Sequence, residues 1–435
     1  MEIRSLSKDN ITKISSFKKE NANILDYRLK AYEAFKKLPL PNFGPELKLD
    51  FDDVLYYKAS DETMKDDWGE IKTEIKCVFD DLGVVKSEQY LNGLGVQYES
   101  EVIYHNMLDE LKSKKVIFTS IEDALKNHWD LVEPYFGKIV DMNENKFTAL
   151  NSAVFSGGSF IYVPKHTHLD RPLQSYFRIN SESLGQFERT LIIVDDDSSL
   201  HYMEGCTAKA YTKSNLHAAV VEIYVGKNSS CRYTTIQNWS NNVYNLVTKR
   251  ALVSAGGTME WIDGNIGSYK NMKYPCCILK GEGASGKCIT IGVAKDGQYQ
   301  DTGAKMIHLA KNTKSTIISK SIASSLGRAD FRSKVYISKE ASNSEALVKC
   351  DTLLLDKDGI SYAYPTNICE NSSSFIEHEA TVARVSEEKL FYLMCRGLSY
   401  EEAMLLIILG FTSSFKEELP MEYAVELNQL LKSIL

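Results

Sequence analysis

The sequence predicts a mainly β protein: a β-helix, or solenoid, of short coils, with a mainly helical region before it and a helical domain after it. Three observations carry this. From about residue 146 the texture changes to short β-branched and aromatic runs (SFIYVP, TLIIV, AAVVEIYV, RYTTIQ, CITIGVA, STIISKSI) separated by Gly, Asn, Asp and Ser. Within that block an apolar residue followed by about five turn-type residues and a new strand recurs at Val194, Val225, Val253, Leu279, Leu309, Ile337 and Ile368, in steps of 31, 28, 26, 30, 28 and 31 residues. A propeller blade takes roughly 40 residues or more, so a period near 30 suits one β-helix coil. From Ser386 the apolar spacing becomes helical again. The expected organisation is a helical region over 1–145, a β-helix over 146–385 and a helical domain over 386–435.

At the N-terminal end, Leu25, Leu29, Tyr32 and Phe35 recur at helical spacing and stop before Pro39, Pro41 and Pro45, while Ser120 followed by IEDALKNH reads as a capped helix start. At the C-terminal end, SEEKLFYLMCRG opens on an N-cap with an acidic first turn and closes at Gly397. Ser399 and Glu402 have capping-box spacing for a second helix reaching Gly410, and Pro420 opens a third. These helices are expected to form a separable cap or docking module whose removal leaves a soluble solenoid.

The 435 residues carry a net charge of −7, with 43% hydrophobic and 25% charged residues, an ordinary globular balance large enough to bury a core without disulfides. No basic run with interleaved aromatics marks a nucleic-acid or anionic-membrane surface. The apolar run Ala403 to Leu409 is far too short to span a bilayer. The sequence MEIRSLSKDN has no targeting character, and nine scattered cysteines without a CxxC suit reduced thiols in the cytoplasm. A metal site must therefore be assembled from distant positions.

GEGASGKC, Gly281 to Cys288, nearly matches a Walker A loop and GxGxxG, but it leads into the strand-like Ile289, Thr290 and Ile291 and lies in register with the repeat. It reads as a solenoid turn, as do the Asn228 and Asn238 sequons. Residues one repeat apart stack on coils about 4.8 Å apart. The 28-residue step from Arg178 to Cys206 and the 31-residue step to Gln237 would place these three in one column. Likewise, Cys350 lies 28 residues before His378, whose neighbours Glu377 and Glu379 point to the other strand face. Thiolate, imidazole and carboxylate are common iron and zinc ligands, although a lone strand cysteine is often a small core residue. His201, five residues from Cys206, faces away from it, which argues against a Cys–His nucleophile. Trp239, Lys249 and Arg250 are polar and aromatic groups of a core network or a solvated loop.

The segments ALNSAVFSGGSFIYVP, MEGC, LHAAVVEI, TTIQNWSNNVYNLVTKRA, GAKMIHLAKNTKSTIISKSI, KCDTLLLD, EHEATVARVSEEKLFYLMCRG and ELPMEYAVELN, from about Ile24 to Leu431, closely resemble the SufB family of iron–sulfur cluster assembly scaffolds of the SUF system. The resemblance implies a right-handed parallel β-helix. It implies that Cys206 receives persulfide sulfur from a cysteine desulfurase through a SufE- or SufU-type carrier. It also implies that Arg178, Asn180, Gln237, Trp239 and Lys249 line the sulfur route, and that Cys350 is the principal cluster ligand with Glu377, His378 and Glu379 as further candidates. The cluster, of 4Fe-4S type, would be nascent cargo. The implied partners are a SufC ATPase on the C-terminal helices and SufD, or a second SufB copy, along the β-helix. Reduced flavin is known in the family complex, but no flavin motif is legible here. The first cysteine, Cys77, departs from members with a cysteine-rich N-terminal motif, and Lys165 to His168 departs from the family's Gly-containing turn.

The expected function is a scaffold that assembles and passes on a cluster, with no turnover chemistry of its own. Two rivals are a structural SufD-like partner with cysteines as core and a β-helix carbohydrate-active enzyme. The second would need a paired-carboxylate signal, which is not evident here.

Overall fold

A computed structural model describes residues 1–59, 64–73, 75–76, 88, 90–208, 211–419 and 421–432. Cys77 and Pro420 lie outside the described residues. The centre is a β-solenoid of about eight turns, with helices at both ends of the chain. Its coils lay alternate strands into a ten-stranded and a twelve-stranded sheet. Along the ten-stranded sheet, Leu173–Ile179, Ser199–Ala208, Ser230–Trp239, Thr258–Gly267, Ser285–Ala294, Lys314–Ala323, Glu345–Leu354 and Phe375–Arg384 follow one another, each parallel to the last.

Period-2 alternation sends one residue set of each strand inward. The column Leu173, Tyr202, Tyr233, Trp261, Cys288, Ile317, Val348 runs through the interior core. The turn residues close each coil, and several hold the left-handed conformation, among them Asp197, Asn228, Asp296, Asn312 and Asn343. Gly281 to Ala284 form such a turn before the strand Ser285–Ala294, as the register of GEGASGKC predicts. Asn228 is a turn residue, whereas Asn238 differs from expectation and sits inside the strand Ser230–Trp239.

The apolar repeat marks strand ends with two one-residue slips. Val194, Val225, Val253 and Leu279 are in register, but the next members are His308, Ile337 and Cys369, so Leu309 and Ile368 are each one residue off. Within 1–145, the strands Gly93–Tyr98, Glu101–Met107 and Ile117–Ser120 join the solenoid sheets. Residues Lys146–Val154 form a helix instead of a strand, because Asn145 and Thr148 make a reciprocal capping box.

Helices cover both outer faces. Helix Ala22–Lys37, capped by Asn21, and Lys146–Val154 pack with Leu216, Leu246 and Met272 outside the twelve-stranded sheet. The C-terminal helices Glu387–Met394, Tyr400–Phe411, Ser413–Lys416 and Met421–Lys432 lie on the ten-stranded sheet. Ala403, Ile408, Phe415, Leu427 and Leu431 share one core with outward-facing Ile236, Ile262, Ile289, Ile291 and Ile322. The helices share this core with the sheet, and removing them would bare a row of isoleucines. No described helix is long and apolar enough to cross a membrane.

Candidate functional site

Cys206 lies near the end of Ser199–Ala208, fully buried, with Phe177 and Gln237 as its register neighbours. Glu204, two residues back on the same face, accepts from the Cys206 thiol at 3.7 Å and from the Tyr233 hydroxyl. Burial pushes the Cys206 thiol well above its ordinary value, reinforced by Glu204 and Glu188. Gly205 faces outward, where a Cβ would come within 2.5 Å of the Tyr176 ring and 3.4 Å of the Tyr423 hydroxyl. That glycine lets the C-terminal helix close over the coil that carries the thiol.

Beyond Cys206 the interior is polar and charged. Lys249 and Lys273 both pair with Asp263 Oδ1, at 3.0 and 3.4 Å, and all three side chains are at most 1% exposed. Thr235 also donates to Asp263. Burial pushes Asp263 upward, but the two ammonium groups outweigh it and hold the carboxyl at about 2. Lys249 Nζ stands 4.4 Å over the Tyr233 ring, whose hydroxyl reaches Glu204. Gln237 Oε1 accepts from Lys273 Nζ at 3.0 Å and from Asn245 Nδ2 at 2.8 Å. Asn245 continues to Asn271, which reaches Gln300 at 2.8 Å, and backward to His217, which holds Glu188 at 2.9 Å. Trp239 packs against His217 with the rings tilted by 43° and their centroids 4.8 Å apart.

One inward column ties this network to the far end of the solenoid. Glu204, Thr235, Asp263, Thr290, Ser319 and Cys350 are successive register partners. Five parallel-strand steps at about 4.8 Å put Cys350 roughly 24 Å along the axis from Glu204. Cys350 is 5% exposed, and burial followed by Asp351 pushes its thiol up to about 11. Its Sγ lies 3.9 Å from His378 Nε2, while His378 Nδ1 meets Asn367 at 3.2 Å. Glu377 and Glu379 point to the opposite face, where both are exposed and Glu379 pairs with Lys349 at 3.2 Å. Among the described residues no three His, Cys, Asp or Glu side chains converge as a metal site. Cys350 and His378 thus form a thiol–imidazole pair at the last coil.

The site residues fall into three places. Cys206, Gln237, Trp239 and Lys249 share the interior network, and Cys350 and His378 meet at the edge. Arg178 and Asn180 lie elsewhere: Arg178 pairs in register with Thr207, whose hydroxyl it binds at 2.8 Å, so it faces away from Cys206. Asn180 binds Tyr98 and Glu99 in the adjoining turn. The expected Arg178–Cys206 column is off by one residue because that coil is 29 residues long. Cys350 stands directly opposite Ala380, so His378 reaches it diagonally. Asp263, Lys273, His217 and Asn245 escaped the sequence reading. Their signal was a polar residue at an inward-parity position, as in WIDGN, where Asp263 follows Trp261 by two.

Two family profiles match the chain: the SufBD protein N-terminal region over residues 8–175, and the SUF system FeS cluster assembly SufBD core domain over residues 177–411. The chain is 53% identical over 431 residues to the iron–sulfur cluster assembly protein SufB of Bacillus subtilis (strain 168), covering 99% of this chain and 93% of that one. It is 54% identical, with the same coverage, to an iron–sulfur cluster assembly SufBD family protein of Staphylococcus epidermidis (strain ATCC 12228). A β-solenoid whose interior links one buried thiol to another at its open end is thus matched over nearly its whole length, and the chain belongs to the SufBD family of the SUF iron–sulfur cluster assembly system.

Proposed function

We propose that this chain is the scaffold on which sulfur, received as persulfide at Cys206, meets iron at Cys350 to build a nascent cluster of 4Fe-4S type for transfer to acceptor proteins. The observation that carries the reading is the inward column from Glu204, beside Cys206, through Thr235, Asp263, Thr290 and Ser319 to Cys350. A hydrocarbon core would stop a polar sulfur species, whereas hydroxyls, carboxylates and ammonium groups offer it successive partners. Cys350 supplies the thiolate, the strongest iron–sulfur ligand type there, and His378 an imidazole. Glu377 and Glu379 serve at the outer face of the same strand.

Partners are proposed from the exposed surfaces. Among the described residues the last strands, Ala363–Cys369 and Phe375–Arg384, are unpaired on one edge each and expose Tyr364, Ile368, Phe375 and Val382, with Tyr362 exposed just before the first. Such open edges pair readily with another strand, which suits SufD or a second copy of the chain completing the cluster site. Phe391, Tyr392, Tyr400 and Leu406 are exposed on the C-terminal helices and suit a SufC-type ATPase, which would supply the driving force and leave this chain without turnover chemistry. The sulfur donor is a cysteine desulfurase with its SufE- or SufU-type carrier, in the cytoplasm. Flavin has no assigned place in this reading.

The test is iron and acid-labile sulfide in the anaerobically purified complex. Cys350→Ala is expected to lose both with its circular dichroism unchanged, and His378→Ala to lose part. Wild-type iron and sulfide in Cys350→Ala would identify Cys350 as a buried structural thiol and favour a structural, SufD-like role.

A further inference from the structure

The lysine–aspartate cluster beside Cys206 has one directly paired carboxylate for two ammonium groups, which the sulfur route does not explain. Two lysines, Lys249 and Lys273, share a single aspartate, Asp263, and all three are shut from solvent. A buried charge without a counter-charge is costly, so the cluster calls for one more negative charge. Glu204 is the carboxylate at hand, and burial raises its pKa, so it is poised to surrender that charge. The donors are also incomplete. Gln237 Oε1 is fixed by Lys273 and Asn245, which orients Nε2 the other way, and Nε2 has no partner although Gln237 is 1% exposed. Trp239 Nε1, two residues on along the same strand face and packed with Cys206, is likewise unpartnered.

We infer that Lys273, with Lys249, Gln237 Nε2 and Trp239 Nε1, forms an anion site that holds the Cys206 persulfide as its anion, with Glu204 taking the proton. The inference rests on Cys206 receiving persulfide. The step is a proton transfer alone: Cys206–S–SH and the Glu204 carboxylate become Cys206–S–S⁻ and the Glu204 carboxylic acid, with no net change in buried charge and no electron moved. In the resting thiol state, Glu204 accepts from the thiol at 3.7 Å. A persulfide is a stronger acid than a thiol, so the same charge moves to sulfur once sulfur arrives. Among the described residues, the charged and titratable groups around this sulfur are Glu204 and Tyr202 on its own strand, Tyr233 on the next, Asp263 beyond it, and Glu188, His217, Lys249 and Lys273 from the opposite sheet. Burial lowers Lys273 to about 8, and its contact with Asp263 opposes that fall and favours the charged form.

The experiment titrates the near-ultraviolet absorption of the persulfide anion on the full chain loaded with glutathione persulfide, with mass spectrometry counting persulfide on Cys206. Lys273→Met is expected to raise the apparent persulfide pKa by at least one unit, a tenfold loss of anion on the acid side of the transition, with absorption normalised to the persulfide counted on Cys206. Asp263→Asn should shift it the opposite way, because it deepens the positive excess, and Lys273→Arg should restore much of the wild-type value. A merely structural role for these residues would not yield shifts of opposite sign, and Asp263→Asn stands as the second reading if Lys273→Met fails to fold. Persulfide on Cys206 with the same titration in all variants overturns the anion site alone. No persulfide on wild-type Cys206 overturns the functional reading and this inference with it.

Discussion

Gly267 shows how far single residues constrain this interior. It closes the strand Thr258–Gly267, opposite Trp239 in the sheet, with φ +76°, and a Cβ there would lie 1.7 Å from the Trp239 carbonyl oxygen. Gly267→Ala is expected to cost about 1–3 kcal/mol from the backbone conformation alone, before the clash is relieved. A lowered denaturant midpoint measures it. The cysteines divide by environment: Cys288→Ala should cost about 1–3 kcal/mol as a buried core residue, and exposed Cys395→Ala under about 0.5 kcal/mol, both with iron content unchanged. Spacing alone revealed Cys206 beside Gln237, because that coil is 31 residues long. It misplaced Arg178 by one position, and one position on a strand reverses the face. Asp263 and Lys273 went unread because a charged residue in a strand ordinarily faces water, and that expectation outweighed the inward parity that WIDGN gives Asp263.

At the scale of elements, caps were the most legible feature. Ser120, Ser386 and Ser399 each accept the expected helix-start hydrogen bond, and Glu402 completes the box on Ser399. Which face a helix buries was not legible for Tyr400–Phe411, whose run of apolar residues has no polar side to exclude. The structure separates buried Ile408 from exposed Leu406. Ile408→Asp is therefore expected to destabilise the chain, seen as a lowered melting temperature. Phe391→Asp with Leu406→Asp should leave melting unchanged and abolish pull-down of the SufC-type ATPase. Retained pull-down in that double variant would move the docking surface elsewhere. Truncation after residue 385 should give aggregated protein, visible by light scattering, because Glu418 also ties Lys287 and Arg232 of the sheet to the helices.

At the scale of the whole molecule, the buried histidines are expected to make the fold acid-sensitive. Burial holds His105, His201 and His308 at about 4, against an ordinary value near 6.5. The unfolded chain takes up these protons first, so stability falls between pH 6.5 and 4, by roughly 1.4 kcal/mol per pH unit for each histidine fully neutral in the fold. Asp263, ordinarily 3.8 and held at about 2, adds a further loss between those two values. His217 acts in the opposite sense: burial lowers it, but Glu188 outweighs burial, so its contribution is present below 6.5 and is lost as pH rises through its raised value. Urea unfolding from pH 7 to 4 should show the decline, and His308→Gln, keeping hydrogen bonds to Thr313 and Ser315, should flatten it. At this scale the solenoid itself was legible, because coil length repeats in sequence. Coverage of its two outer faces was not, because the helices and the isoleucine row they bury are far apart in the chain. The central claim, that sulfur received at Cys206 travels inside the solenoid to Cys350, is tested by isotope-labelled sulfur fed from desulfurase and carrier to the intact complex, then trapped and located by peptide mass spectrometry over time. The account predicts label on Cys206 first and Cys350 second, and none on Cys350 in Cys206→Ser; label reaching Cys350 at the wild-type rate in that variant would contradict it.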